Sequence, residues 1–382
     1  MKNKERQKQY LRTWIEINKQ ALKNNLISFR KLIGPKCLLM AVVKSNAYGH
    51  SLIDFSRLVE DFGIDWFGVD SIFEAESLRK AGFKKPILVL GHTLQNKVKD
   101  ALVNNISLTI GDFSTLKKLK KINKYKDKLK IHIKVDTGMH RQGFVVSEIP
   151  EAIKILKSQP SIMLEGVYTH FSSAKNPAFP STTQNQIEEF KKAISLFKSS
   201  GFKGFIKHAA ATSGTIIFPQ SRFDLVRVGI GLYGLWPSKE TREAFKSKIK
   251  IEPVLSWKTI VDQVKYLPKG STIGYDLTET LSRPSTVAIL PIGYWHGLPR
   301  LLSSIGKALI NGTEVKILGR VSMDMTSVDI TDVKNVKLGD EVVLIGKSGK
   351  SEISVDDMTY LADTINYEIV TRLNPLIKRI VV

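Results

Sequence analysis

The sequence predicts an α/β plus β protein: an N-terminal (β/α)8 barrel over residues 1–250, then a mainly antiparallel β domain over residues 251–382. Three observations predict it. Eight short apolar runs recur through the first two thirds of the chain. Helix-like stretches separate most of them. After about Ile251 the helical stretches give way to β-like segments punctuated by turn residues.

The eight runs are Leu38–Val43, Trp66–Val69, Ile87–Leu90, Ile106–Ile110, Leu129–Val135, Met163–His170, Phe205–Ala209 and Leu225–Ile230. Short continuous apolar runs fit parallel strands buried on both faces. Spaced apolar positions in Ser71–Ala81, Glu148–Leu156 and Gln184–Phe197 predict crossover helices. Eight strand–helix units over roughly 250 residues have the size of a closed barrel. Strand count alone also admits a doubly wound open sheet. Tyr10–Ile17, before the first helix, can serve as a strand of either domain.

In the second region the β-like segments are Val254–Leu267, Thr286–Ile292, Lys307–Ile310, Glu314–Leu318, Thr326–Asp329 and Glu341–Ile345. Pro268–Gly270, Asn311–Gly312 and Gly339–Asp340 mark turns between them. One late helix is expected over Ser354–Ile365, with Ser354 as N-cap.

Composition narrows the function classes. At 42% hydrophobic and 25% charged, the chain reads as an ordinary soluble globular protein. No apolar run is long enough to span a bilayer, so no membrane partner is expected. Met1–Arg12 is polar and basic and lacks the apolar h-region of a secretory signal. Cys37 is the single cysteine, which excludes an internal disulfide and a cysteine-based metal cluster and reads as a packed core thiol. A cytoplasmic location and no metal are the expectations. The net charge of +22 raises the question of nucleic acid. Lys117, Lys118, Lys120, Lys121, Lys124 and Lys126 are dispersed on a helix face, and no nucleic-acid module accompanies them. A solvated lysine-rich surface without a nucleic-acid partner is the reading.

Barrel enzymes place their chemistry at the C-terminal ends of the strands. Those ends hold Lys44 after the first run, Lys134, Asp136 and Arg141 around the fifth, Tyr168 and His170 at the sixth, His208 at the seventh and Arg227 in the eighth. A lysine leaving Ala41-Val42-Val43 is partly desolvated, which favours the neutral amine that Schiff-base chemistry needs. Taken alone, Lys44 also reads as a lysine snorkelling from the barrel rim, and Arg227 as the partner of a carboxylate such as Asp224. Thr212 and Ser213 stand at a helix start, where phosphate finds donors. No Walker-type glycine loop is present, so a nucleotide is not favoured.

Ala41-Val42-Val43-Lys44-Ser45-Asn46-Ala47-Tyr48-Gly49-His50 closely resembles the pyridoxal-phosphate attachment motif of the alanine racemases, fold type III pyridoxal-phosphate enzymes. Lys134-Val135-Asp136-Thr137-Gly138-Met139, Glu165-Gly166-Val167-Tyr168-Thr169-His170, Arg227-Val228-Gly229-Ile230-Gly231, Ile273-Gly274-Tyr275-Asp276, Pro291-Ile292-Gly293-Tyr294, Gly319–Asp324 and Ile365–Glu368 continue the resemblance. It implies interconversion of L- and D-alanine on pyridoxal 5'-phosphate, supplying D-alanine for bacterial peptidoglycan. Lys44 would carry the cofactor and act as one base. Tyr275 would be the opposing base and would reach the barrel of the partner in a homodimer. A tyrosine of ordinary pKa near 10 is a poor base at neutral pH, so it needs the His170–Arg227 network.

The resemblance further implies that Arg227 faces the pyridine nitrogen. A permanently charged donor keeps that nitrogen unprotonated and the ring a weaker electron sink, which limits side reactions such as transamination. Tyr48, Thr212, Gly229, Ile230 and Tyr367 would hold the phosphate. Arg141 would contact the substrate carboxylate or the cofactor phenolic oxygen, and the backbone N–H of Met323, across the dimer, would bind the substrate carboxylate. Tyr294 would line the entrance, and Lys134 is a candidate for carbamylation. The sequence departs from the family at Trp295-His296, Ala209-Ala210-Ala211, Ser322 and Asp276. Rival readings are a serine or lysine racemase, a decarboxylase of the same fold and a non-catalytic pyridoxal-phosphate carrier. The decarboxylase ordinarily needs a second-domain cysteine, and the carrier resembles the barrel alone.

Overall fold

The computed structural model describes residues 10–122 and 127–382. The N-terminal residues 1–9, Lys124 and Lys126 lie outside the described residues. The chain forms two compact units. One gathers residues 1–20, 48–51 and 253–382, and the other gathers residues 21–47 and 52–252.

Strand β1 (Thr13–Ile17) belongs to the first of these units. The other unit is the barrel. Its strands are β2 (Leu38–Val42), β3 (Trp66–Val69), β4 (Ile87–Val89), β5 (Ser107–Ile110), β6 (Leu129–Asp136), β7 (Ile162–Tyr168), β8 (Ile206–His208) and β9 (Leu225–Val228). They pair in parallel in the order β9-β2-β3-β4-β5-β6-β7-β8. Every residue of β3, β4, β5 and β9 is buried, as strands covered on both faces require. Closure, which strand count left open, is visible in backbone bonds between the last two strands. Asp224 N–H donates to Lys207 O (3.0 Å) and Arg227 N–H to Ala210 O (2.9 Å). An isolated parallel bridge joins Ala211 to Arg227.

Crossover helices fall where their apolar spacing predicts: Ile72–Lys80, Ile149–Lys157 and Ser181–Ser199. The first begins at Ser71, whose hydroxyl accepts from Glu74 N–H while the Glu74 side chain accepts from the Ser71 backbone. This capping box satisfies donors that the first helical turn leaves open.

The remaining unit is built on a ten-stranded sheet, beside which Thr272–Ile273 and Glu279–Thr280 pair as a separate two-stranded sheet. Its longer strands are β10 (Leu255–Ile260), β11 (Gln263–Leu267), β12 (Ser285–Leu290), β13 (Lys307–Ile310), β14 (Thr313–Leu318), β15 (Thr326–Asp329), β16 (Glu341–Ser348) and β17 (Lys378–Val381). They run in the order β11-β12-β15-β14-β13-β16-β10-β1-β17. All of these pairings are antiparallel except β1 with β17. Asn311 and Gly312, both at positive φ, make the tight turn between β13 and β14. The expected segment Val254–Leu267 is two strands, because β10 pairs with β1 and β16 whereas β11 pairs with β12. The expected late helix ends at Leu361, and a second helix covers Asn366–Thr371. Tyr10–Ile17 contributes β1 to this sheet.

Candidate active site

The chain leaves β2 through an uncommon conformation. Ser45, Asn46, Ala47 and Tyr48 all have φ between 49° and 55°. A left-handed turn costs an L-residue roughly 1–2 kcal/mol per position, so this segment persists only where its surroundings hold it. Asn46 Oδ1 accepts from Leu52 N–H (2.9 Å), and Ala47 N–H donates to Val43 O (2.8 Å). Lys44 stands at the start of the turn. Its side chain is 38% exposed and its Nζ lies 3.2 Å from Asp70 Oδ1 at the end of β3. The lysine is thus less desolvated than its apolar strand predicts, and it is held by a carboxylate rather than snorkelling freely.

Arg227, in β9, is buried inside the barrel. Its Nη1 donates to His208 Nδ1 (2.8 Å), and its Nη2 to Thr169 O and Ala209 O (2.8 Å each) and to His170 Nδ1 (3.3 Å). Asp224 is not its partner, since that carboxylate binds Lys207 through both backbone N–H and Nζ. Burial lowers the Arg227 pKa to about 10, which still leaves it protonated at neutral pH. Among the described residues none accepts from its Nε–H.

Guanidinium can only donate, and this fixes the protons of the whole interior chain. His208 Nδ1 must accept, so its Nε2 carries hydrogen and donates to His132 Nδ1 (2.8 Å). His132 Nε2–H then donates to Glu165 Oε2 (3.2 Å), a carboxylate that also accepts from Ser107 Oγ. Burial acts to raise the Glu165 pKa, but the hydrogen bonds from His132 and Ser107 and the nearby charges outweigh it and the net shift is downward. Burial pushes His208 well below the ordinary histidine value, with Arg227 adding to it. Burial and Arg227 likewise push His170 down to about 3. His170 is neutral, with hydrogen on Nε2. Gly166 makes room for this chain, since a Cβ there would lie 2.2 Å from His132 Nδ1.

A cavity of about 320 Å³ opens beside β4, β5 and β6, lined by His92, Asp112, Lys134, Arg141 and neighbours. Lys134 Nζ donates to Gln142 Oε1 (3.2 Å). Burial, then the Arg141 and Arg227 charges, lower its pKa to about 8. Arg141 is exposed and makes no ion pair among the described residues. Thr212 opens the short helix Thr212–Ile217, and its hydroxyl accepts from Gly229 N–H (3.2 Å) and Gly231 N–H (3.4 Å). The Ile230 N–H between them has no acceptor among the described residues.

In the sheet unit, Tyr48 and Tyr367 lie with ring centroids 6.1 Å apart. Burial raises both phenols, Tyr48 to about 12, so both stay protonated donors. Tyr275 is 70% exposed. It follows Gly274 and precedes Asp276 and Leu277, all at positive φ. Aspartate tolerates that region better than most L-residues, and Asp276 Oδ2 accepts from Arg320 Nε (2.8 Å). That contact accounts for aspartate at a position where glycine is expected. Tyr294 N–H donates to Ser322 O and Trp295 N–H to Met323 O, both 3.0 Å. Tyr294, Trp295 and Met323 are exposed, and the Met323 N–H has no acceptor among the described residues. His296, expected near the entrance with Trp295, instead turns inward and is buried, its Nδ1 accepting from Gly293 N–H (3.2 Å).

Two family models match the chain: alanine racemase N-terminal domain over residues 17–237, and alanine racemase C-terminal domain over residues 254–381. The chain belongs to the alanine racemase family. It is 40% identical to an alanine racemase of Leptospira interrogans over 97% of this chain and 96% of that one. Among solved structures it resembles the alanine racemase of Bacillus anthracis with bound L-Ala-P, at TM-score 0.93 and 34% identity, covering 98% of this chain and 95% of that one. It also resembles the alanine racemase of Bartonella henselae with covalently bound pyridoxal phosphate, at TM-score 0.86 and 27% identity, covering 97% of this chain and all of that one.

Within this alanine racemase fold, the barrel brings Lys44, Asp70, Lys134, Arg141, His170, Thr212, Arg227, Gly229 and Ile230 to its strand ends. Sequence reasoning missed Glu165 and His132 as the continuation of the Arg227 network. A signal was present: Lys130, His132 and Lys134 alternate with Leu129, Ile131, Ile133 and Val135, which places a polar row on one face of β6.

Proposed function

We propose that this protein interconverts L- and D-alanine as a pyridoxal 5'-phosphate enzyme, and that its working form is a homodimer in which Tyr275 and Met323 act on the partner's barrel. The observation that carries the reading is the Arg227 guanidinium: buried, charged, anchored through both Nη atoms, and with an Nε–H that no described residue engages. A pyridine nitrogen is the acceptor this donor fits. The amine of Lys44 matches the aldehyde, and the Thr212 hydroxyl with the Ile230 N–H and the protonated Tyr48 and Tyr367 phenols match the phosphate. When bound through Lys44, the cofactor supplies the electron withdrawal that makes the substrate Cα–H acidic.

The residues then divide the work. Racemisation needs a proton donor and acceptor on each face of Cα. Lys44 Nζ holds or releases the proton on one face and the Tyr275 oxygen on the other. Neutral His170, with Nε2–H outward from Arg227, is the donor suited to steady the Tyr275 oxygen once it has lost its proton. Arg141 and the Met323 N–H suit the substrate carboxylate. Exposure of Tyr275 (70%) and Met323 (52%) leaves both available to a second copy. The lowered Lys134 pKa leaves a fraction of neutral amine near pH 8, the form that carbon dioxide carbamylates. Labelling with 13C carbon dioxide reads that modification directly. D-alanine made by a cytoplasmic enzyme of this kind feeds peptidoglycan.

The decisive experiment incubates the purified protein and pyridoxal phosphate with L-alanine, L-serine or L-lysine separately and resolves the product enantiomers. D-alanine formed faster than the other products supports the reading. The Tyr275→Phe protein should keep the cofactor and lose about 10²- to 10⁴-fold in racemisation. Normal turnover of both enantiomers by that variant removes Tyr275 from the mechanism.

A further inference from the structure

The left-handed turn after Lys44 is held by one side chain from another element. Glu74, in the first turn of the helix Ile72–Lys80, spreads its carboxylate over two strand ends. Oε1 accepts from Ser45 N–H (2.6 Å) and lies 3.4 Å from Asn46 N. Oε2 accepts from Asp70 N–H (2.8 Å) and lies 3.4 Å from Ser71 N. The residues following Lys44 and the backbone of its ion-pair partner Asp70 are therefore tied to one carboxylate. Oε2 serves the capping box of the helix. Oε1 has no part in that box and serves the turn alone.

We propose that Glu74 is a positioning residue for Lys44: its carboxylate clamps the ends of β2 and β3 and holds the left-handed turn from which the lysine amine is presented. The inference rests on the role given to Lys44 above. Without the clamp, Ser45 and Asn46 N–H lose their acceptor and the turn relaxes toward conformations open to any L-residue. The amine then samples positions away from the barrel mouth, and misplacement of about 1 Å is enough to cost a large factor in rate.

Glutamine separates the clamp from the cap. Ser-x-x-Gln still forms a capping box, so a helix-capping role survives Glu74→Gln. The amide has one acceptor oxygen, and its NH2 would face a donor N–H, so it cannot serve both strand ends at once. Ser71→Ala is the complementary variant, which removes the cap hydroxyl and leaves Oε1 on Ser45.

The test compares the full-length wild type, Glu74→Gln and Ser71→Ala. Amide hydrogen exchange is read at Ser45 and Asn46 in the apoprotein. Cofactor capture is read as the rate of borohydride-trapped adduct at Lys44, and steady-state kinetics follow on the loaded enzyme. Glu74→Gln should exchange at Ser45 and Asn46 about tenfold faster. It should capture pyridoxal phosphate about tenfold more slowly and lose kcat with KM for alanine within about twofold. Ser71→Ala should lower Tm yet leave exchange and capture at wild-type values. Wild-type exchange at both amides in Glu74→Gln overturns the clamp and leaves Glu74 a helix cap. Because exchange is measured without cofactor, it tests the clamp even if borohydride labels the wild type elsewhere, a result that would remove Lys44 instead.

Discussion

Lys44 and Tyr275 are presented by similar devices in two different units. Each stands at a left-handed turn, and each turn is fixed by a carboxylate: Glu74 over Ser45, Asp276 against Arg320. They differ in what lies behind them. Lys44 has a partner in Asp70, and the barrel around it carries a buried polar chain that runs from Arg227 to Glu165. Tyr275 is 70% exposed, and Leu277, Tyr294, Trp295, Met323 and Met325 of the same unit are exposed as well. On the proposed reading, one half of the chemistry is complete within the chain and the other is completed by a second copy.

Breaking the complete half has the largest effect. Lys44→Ala should reduce alanine racemisation to the background of a cofactor-only control, and borohydride should then leave no adduct on the segment Leu38–Tyr48. Residual racemisation above that control would move the attachment point elsewhere. Gly166→Ala acts deeper. Its Cβ would collide with His132, so we expect a loss of about 1–3 kcal/mol in denaturant unfolding. A fall in kcat should accompany it, although residue 166 touches no reacting atom.

The buried histidines sharpen the comparison through pH. His170 falls from its ordinary 6.5 to about 3, and His208 falls well below 6.5, burial being the main cause for both. Between pH 3 and 6.5 the unfolded chain binds protons that folded His170 refuses, so stability rises with pH through that window. It is lost as pH falls below 6.5, at up to about 1.4 kcal/mol per pH unit for each group. Unfolding midpoints measured from pH 7 to 4 check this, and His170→Asn should flatten part of the slope. An unchanged slope would mean that the imidazole protonates in place. The smallest effect belongs to the open half. Arg320→Ala removes a largely exposed ion pair and should cost less than about 1 kcal/mol of stability. The rate should drop severalfold at most, as the Tyr275 turn loosens.

Much of this was legible in the sequence. The eight barrel strands follow from apolar runs, because a strand buried on both faces has nothing to alternate with. The helix Ile72–Lys80 follows from the spaced apolar positions of Ser71–Ala81. Lys44, Arg227 and Thr212 stand at strand or helix ends, where barrel chemistry belongs. Three things were not legible. β17, Lys378–Val381, is short and charged, and Arg379 is buried because its guanidinium satisfies backbone carbonyls of Gly49, Leu373, Asn374 and Ile377. The break between β10 and β11 is a change of sheet partner, which periodicity does not encode. Glu74 carries no such signal, since its Oε1 reaches a turn 29 residues earlier and only the folded barrel brings the two together.

The interior file from Arg227 to Glu165 has a direction, and reversing it is not a one-residue change. Suppose a carboxylate replaced Arg227, to invite a protonated ring nitrogen. His208 would then have to give its hydrogen from Nδ1, and His132 would have to give its own to His208. The lone pair left on His132 Nε2 would face the Glu165 carboxylate, acceptor against acceptor. An engineer who wants the opposite electronics must rewrite the far end of the barrel together with the near one.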